Sequence, residues 1–228
     1  MDSRMDDSLN FHACIFDFDG ILVDSEVVLV KLWKRIAGEY HYDFSEQSFQ
    51  KCLGRTTEDI KQIQMDEFGS QYPFDEIYQK VHDSFHQMIT GHGLPLVPGV
   101  LVLRQFLEDA QIKMAVASST YRAEVLFRME KAGLTDLFST VLGGDDVLQP
   151  KPAPDIFLKA AAALQMEPAD CLVLEDSQSG VLAARAAGMQ VFVVQNLSPV
   201  TEVMREKAHA IFPSHAALLQ FLKGAGAA

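Results

Sequence analysis

Two aspartates one residue apart, Asp17 and Asp19 in Phe16-Asp17-Phe18-Asp19-Gly20, follow directly on the apolar run Ala13-Cys14-Ile15-Phe16. An apolar run of that length bounded by glycine reads as a buried strand. Residues two apart on a strand share a face, so both carboxylates converge just past the strand end. Two such groups repel unless a cation lies between them or one holds a proton. Either arrangement is useful in phosphoryl chemistry. A tight turn is the plain alternative, since Asp and Gly are turn formers. A calcium loop is excluded by spacing: counting from Asp17, the sixth position is Leu22 rather than Gly and the twelfth Val28 rather than Glu.

The elements that position this pair follow from periodicity. After Gly20 the pattern turns helical: Val27, Val28, Val30, Leu32, Trp33 and Ile36 form an apolar face ending near Gly38. Thr56 or Thr57 can cap a helix running to Phe68, with Gly69 behind it. Asp75 to Ile89 carries Ile77, Val81, Phe85, Met88 and Ile89 at helical spacing, and Gly91, Gly93, Pro95 and Pro98 then mark a linker. Beyond it strands and helices alternate. The spacing predicts strands at Lys113–Ala117, Val141–Leu142, Cys171–Leu174 and Val191–Val194. Helices are predicted at Val100–Ala110, Arg122–Ala132, Pro154–Leu164 and Gly180–Ala187.

Alternation of this kind predicts an α/β fold, a doubly wound, Rossmann-like parallel sheet with helices on both faces. The first strand belongs to that sheet, so the helical block is an insertion. The expected division is a core of residues 1–23 and 96–228 and an all-helical cap of residues 24–95, joined by crossings near Val23 and Leu96. Met1 to Asn10 reads as a loose polar tail and the Ala-Gly-Ala-Ala terminus as frayed.

Ligands of such sheets bind beyond the carboxyl ends of the strands. The second strand ends in Ser118-Ser119-Thr120, the fourth in Glu175-Asp176, and Lys151 stands in Gln149-Pro150-Lys151-Pro152-Ala153-Pro154 before a helix. Singly, the hydroxyls read as helix caps, Asp176 as a cap before Gly180, and Lys151 as a solvated loop charge. Together they supply what phosphoryl transfer requires: a carboxylate nucleophile, an acid/base, a divalent-metal site, a phosphate anchor and a positive charge.

Composition sets the outer bounds. The chain has 228 residues, enough for one good core and a smaller second unit. Its net charge of −12 argues against nucleic acid or an anionic membrane surface as partner. Cys14, Cys52 and Cys171 are odd in number and form no CxxC pair, so neither a zinc site nor a disulfide framework is expected. Two of them sit in apolar runs, which fits a reducing cytoplasm. No segment has the length or character of a signal peptide or membrane span.

The order DxDG, Ser-Ser-Thr, Lys-Pro-x-Pro-Asp and Glu-Asp-Ser-x-x-Gly resembles the haloacid dehalogenase superfamily, in the branch of β-phosphoglucomutase and small sugar-phosphate phosphatases. The likeness runs from Ala13 onward. It implies that Asp17 attacks phosphorus and becomes an aspartyl phosphate. Asp19 would protonate the leaving oxygen and later take a proton from water. Ser118 would hold the transferring group with backbone N–H groups at the following helix start, and Lys151 would offset charge. The resemblance implies a Mg²⁺ site at Asp17, the Asp19 carbonyl oxygen and Asp176, with Glu175 nearby. Ser119 and the cap loop Gly54, Arg55 and Thr56 are the substrate-binding candidates.

Asp19 makes a dehalogenase unsuitable, because dehalogenases of this fold typically lack that acid. Ion-pumping relatives carry Lys-Thr-Gly-Thr after the nucleophile, which is absent here. Phosphonate-cleaving relatives use a cap lysine, and Lys31 and Lys34 lie in the first cap helix. A mutase must hold the far phosphate of a bisphosphate, yet cap positions that are His, Arg and Lys in β-phosphoglucomutases correspond here to Leu29, Thr57 and Val81. Arg55 is the substitute cation or else a solvated charge. The expectation is a Mg²⁺-dependent cytoplasmic phosphatase, a monomer, acting on a small phosphorylated metabolite of the sugar-phosphate class. A mutase and a non-catalytic binding protein are the alternatives.

Overall fold

A computed structural model of the chain describes residues 11–225 other than Gly54 and Thr56. The expected polar tail, the frayed terminus from residue 226 on, and the substrate-binding candidates Gly54 and Thr56 lie outside the described residues. Six parallel strands form one sheet: β1 (Ala13–Phe16), β2 (Lys113–Ala117), β3 (Thr140–Leu142), β4 (Cys171–Glu175), β5 (Gln190–Val194) and β6 (Ala210–Phe212). Their order is β3-β2-β1-β4-β5-β6. The chain leaves β1 toward one side and returns to its other side at β4, so a crevice opens at the carboxyl ends of these two neighbours.

Alternation along the strands builds two apolar layers. Cys14 and Phe16 face one layer with Val116, Leu172, Leu174 and Phe192. Ala13 and Ile15 face the other with Ala115, Ala117, Val173 and Val191. On the first side lie α5 (Val100–Asp109), α6 (Arg122–Ala132) and α10 (His215–Gly224); on the second lie α7 (Asp155–Leu164), α8 (Gln178–Ala186) and α9 (Glu202–Lys207). On α7 the buried Ile156, Phe157, Ala160, Ala161 and Leu164 make a stripe of helical spacing against the sheet.

Four helices separate β1 from α5: α1 (Ser25–Glu39), α2 (Glu46–Cys52), α3 (Thr57–Phe68) and α4 (Phe74–His92). Trp33 stacks on Phe44 and Phe74, and Ile77, Val81, Phe85 and Ile89 of α4 are buried. The chain enters and leaves this helical region side by side. Asp24 N–H donates to the Pro95 carbonyl at 2.8 Å, and Val97 N–H to the Leu22 carbonyl at 3.0 Å.

The periodicity reading does not include α2, α9, β6 or α10, and it misplaces two helix caps. β6 is a sixth strand of three residues, too short to announce a period. The helix after Glu175-Asp176 starts at Gln178 with Ser177, not Asp176, as its cap: the Ser177 hydroxyl accepts from Gly180 N–H at 3.1 Å. Nor does the Ser118-Ser119-Thr120 run cap α6, whose cap position is Tyr121. The Ser118 and Thr120 hydroxyls face inward instead.

Candidate active site

In-register pairing makes the strand ends flush. Phe16 lies opposite Val116 on one side and Leu174 on the other, so the next residue, Asp17, stands between Ala117 and Glu175. The Asp17 N–H still donates to the Leu174 carbonyl at 2.9 Å. Lys151, carried by the proline-flanked loop before α7, reaches in under this edge. Its ammonium donates to Asp17 Oδ1 at 2.6 Å, Glu175 Oε1 at 2.7 Å and the Ala117 carbonyl at 3.2 Å. Three donors thus meet three acceptors, and the lysine is a buried, fully committed charge. Burial opposes that charge, but the Asp17 and Glu175 carboxylates outweigh it and hold the ammonium above the ordinary lysine range.

Glu175 is fully buried, and its other oxygen is also occupied. Oε2 accepts from the Asp176 N–H at 3.0 Å, the Ser177 N–H at 2.9 Å and the Ser177 hydroxyl at 2.9 Å. It therefore acts as a fixed counter-charge for Lys151 more readily than as an open ligand. Gly180 on α8 makes this possible, since a β-carbon there would run into the Glu175 carboxylate.

Asp176 differs. Its Oδ2 is buried without a hydrogen-bond partner among the described residues. Gly20, at φ +82°, faces it so closely that a β-carbon would collide with the carboxylate. Oxygens of Asp17, Glu175 and Asp176 all lie within 4.8 Å of one another. Burial pushes Asp17 up to about 8 against the pull of Lys151, while Glu175 and Asp19 add to the rise. Asp176 is raised well above the usual carboxylate range, again by burial first and then by Glu175 and Asp17. An orphaned buried oxygen, three carboxylates against one ammonium, and donors that are all oxygen fit a small hard divalent cation.

Asp19 stands above this cluster with both oxygens engaged. Oδ1 accepts from the Ser25 hydroxyl at 2.6 Å and from Arg128 Nη1 at 3.0 Å; Oδ2 accepts from the Thr120 hydroxyl at 3.0 Å. The Gly20 carbonyl behind it is held by the Asn196 side-chain amide at 3.0 Å. Ser118 is buried at the end of β2, where its hydroxyl accepts from the Thr120 N–H at 3.1 Å.

These groups open into one cavity of about 530 Å³ between the sheet edge and the helical region. Asp17, Asp19, Ser118, Ser119, Lys151 and Asp176 line its floor. Glu26, Leu29, Trp33, Arg55, Val81 and His82 contribute to the opposite wall. Burial pushes Glu26 up to about 7, with Asp19 and Asp24 adding to the rise, and its Oε2 has no hydrogen-bond partner among the described residues. Burial and the nearby Arg128 lower His82, so its ring favours the neutral form.

The structure therefore brings together Asp17, Asp19, Ser118, Ser119, Lys151, Asp176 and Arg55, with Glu175 immediately beneath. Sequence reasoning missed Ser25, Arg128 and Asn196, and left Thr120 without a role. Ser25 had a weak signal, as a hydroxyl shortly after the aspartate pair. Arg128 had none, because Glu124 and Arg128 four apart on a helix read as an ordinary surface ion pair.

A family model described as haloacid dehalogenase-like hydrolase matches residues 14–194. A phosphorylated carbohydrates phosphatase of Thermotoga maritima is 31% identical over 178 residues, covering 78% of this chain and 82% of that protein. The β-phosphoglucomutase of Bacillus subtilis is 32% identical over 185 residues, covering 78% and 80%. A family hydrolase of known structure from Deinococcus radiodurans, 24% identical, superposes with a TM-score of 0.83 over 97% of this chain and 98% of its own; it shares the fold. The chain belongs to the haloacid dehalogenase-like hydrolases, in the branch of β-phosphoglucomutase and the sugar phosphatases. Within that branch it is a phosphatase, a phosphoric monoester hydrolase of phosphorylated metabolites.

Proposed function

We propose that this protein is a Mg²⁺-dependent phosphatase of a small sugar phosphate, working through an aspartyl phosphate on Asp17. The observation that carries the reading is the meeting of Lys151, Asp17 and the orphaned Asp176 oxygen at the floor of one cavity. Asp17 Oδ, steered by Lys151, attacks phosphorus. The ester P–O bond breaks, and the departing alcohol oxygen takes its proton from the Asp19 carboxyl group. Water then attacks the aspartyl phosphate and gives its proton to the Asp19 carboxylate. The P–O bond to Asp17 breaks, and inorganic phosphate leaves. The Ser118 hydroxyl holds the phosphoryl oxygens during both displacements. Asp17, the Asp19 carbonyl and Asp176 would hold the cation, which offsets charge on the phosphoryl group.

In this reading residues 24–95 form a cap that moves about the paired crossings at Val23 and Leu96. Closure keeps bulk water from the first step, and opening releases product. Hydrolysis is favoured over mutase chemistry by the cavity wall. Leu29 and Val81 are apolar there, while Lys151 and Arg128 are both committed to carboxylates, leaving Arg55 as the free cation among the described lining residues. Arg55 and Ser119 are the specificity candidates. We place the protein in the cytoplasm, where the three free buried thiols suit a reducing compartment. Among the described residues no helix is long and apolar enough to cross a membrane.

A panel of phosphorylated metabolites, scored by kcat/KM with Mg²⁺, tests the reading. Activity lost on chelation and in Asp17→Asn supports it. Full activity in Asp17→Asn, or conversion of β-glucose 1-phosphate to glucose 6-phosphate in preference to phosphate release, overturns it.

A further inference from the structure

Asp19 is held by two hydroxyls and one guanidinium, and only the last is a fixed, charged donor. The Ser25 and Thr120 hydroxyls can turn to other acceptors. Arg128 cannot: it is buried, its Nη1 lies 3.0 Å from Asp19 Oδ1, and its Nε lies 2.7 Å from Glu124 Oε1. Its guanidinium also sits 5.0 Å over the ring of Phe85 on α4. Glu124 in turn lies 3.3 Å from His86 Nε2, on the same helix. The arginine is therefore clamped from the core side by α6 and from the helical region by α4, with Asp19 at its free end.

A buried guanidinium costs desolvation that a surface pair does not. A helix-stabilising ion pair with Glu124 alone would not require Arg128 to line the cavity or to reach a residue 109 positions away in the chain. We infer that Arg128 is a positioning residue: it fixes the Asp19 carboxyl group at the angle from which its proton reaches the leaving oxygen. The inference rests on the phosphatase reading above, in which Asp19 is the acid. It assigns to a side chain with no place in the recognised motifs a share in the leaving-group step.

Leaving-group dependence distinguishes positioning from support of the fold. An alkyl phosphate must have its oxygen protonated as the bond breaks, whereas p-nitrophenolate leaves without help. kcat/KM reports steps up to ester cleavage, so the later hydrolysis does not obscure the comparison. Correct general-acid catalysis contributes about 10²–10⁴-fold. Misplacing Asp19 in Arg128→Met should therefore lower kcat/KM on an alkyl phosphate by roughly 10- to 100-fold. The loss on p-nitrophenyl phosphate should be several-fold smaller. Arg128→Lys should recover part of the alkyl activity, and Glu124→Gln should fall between it and the wild type.

Equal losses on both esters would overturn the inference, since a merely structural role has no leaving-group preference. A rise in KM of the same size for both esters would overturn it too, by making Arg128 a ligand of the shared phosphoryl group. Wild-type hydrolysis of both esters, abolished in Asp17→Asn, secures the underlying reading independently; its absence would remove both.

Discussion

Lys151 Nζ lies 2.6 Å from Asp17 Oδ1 although 134 positions of chain separate them. The same ammonium also serves Glu175 Oε1 at 2.7 Å. The lysine side chain is 3% exposed and Glu175 not at all, so removing the ammonium strands two buried carboxylates. Lys151→Met should lower kcat by about 10²–10³-fold, the scale for losing one preorganised charged donor. It should also destabilise the fold by about 3 kcal/mol. Steady-state kinetics and urea unfolding check the two effects separately. Stability unchanged from wild type would mean that the triad is not buried as described.

Mg²⁺ binding should strengthen with pH. Asp17 is pushed up to about 8 by burial, and Asp176 is raised as well, so below that range the cluster holds a proton the cation must displace. A carboxyl group raised in the folded state stabilises the metal-free protein at low pH, and that contribution is lost as pH rises through about 8. The rise in Tm on adding Mg²⁺ should accordingly be larger at pH 8.5 than at pH 6. A shift independent of pH would show that these carboxylates do not hold the ion.

Gly20 should resist substitution for two reasons. At φ +82° a side chain is strained by roughly 1–2 kcal/mol, and an alanine β-carbon would meet the Asp176 carboxylate. Gly20→Ala should lower stability and remove most of the Mg²⁺-induced gain in Tm. Retention of the full gain would mean that Asp176 can move aside without cost to the site.

A pH effect far from the site is expected at His215. It is fully buried, neither ring nitrogen has a partner among the described residues, and burial pushes it down to about 4 from 6.5. A lowered histidine leaves stability intact above the unfolded value near 6.5 and erodes it as pH falls toward 4. By pH 5 the loss should be about 2 kcal/mol. Chemical denaturation of wild type and His215→Leu at pH 7 and pH 5 tests this. The variant should lose less on acidification, and equal losses would refute the assignment.

Much of this architecture was legible because it is local. The apolar run before Asp17 and the end of α6 at Gly133 follow from neighbours a few residues apart. The same holds for the alternation after the linker. The short β6 and the seven-residue α2 were not, since they carry too few residues for a period to show, and α9 and the ten-residue α10 went unread as well. Helix caps were misread where a hydroxyl had a better partner, as at Thr120, whose side chain serves Asp19 instead of α6.

By itself the sequence determined the set of groups available for chemistry, because residue type is explicit, and because hydrophobic periodicity puts Asp17, Ser118 and Asp176 just past strand ends and Lys151 in the loop before α7. Only the tertiary structure decided how those groups divide their work. Glu175 is spent on Lys151 and two backbone N–H groups while Asp176 keeps a bare oxygen, and Arg128 turns from a helix surface to grip Asp19. Burial and partner geometry set those assignments. They depend on distances of about three ångströms between residues more than a hundred positions apart, which no local pattern encodes.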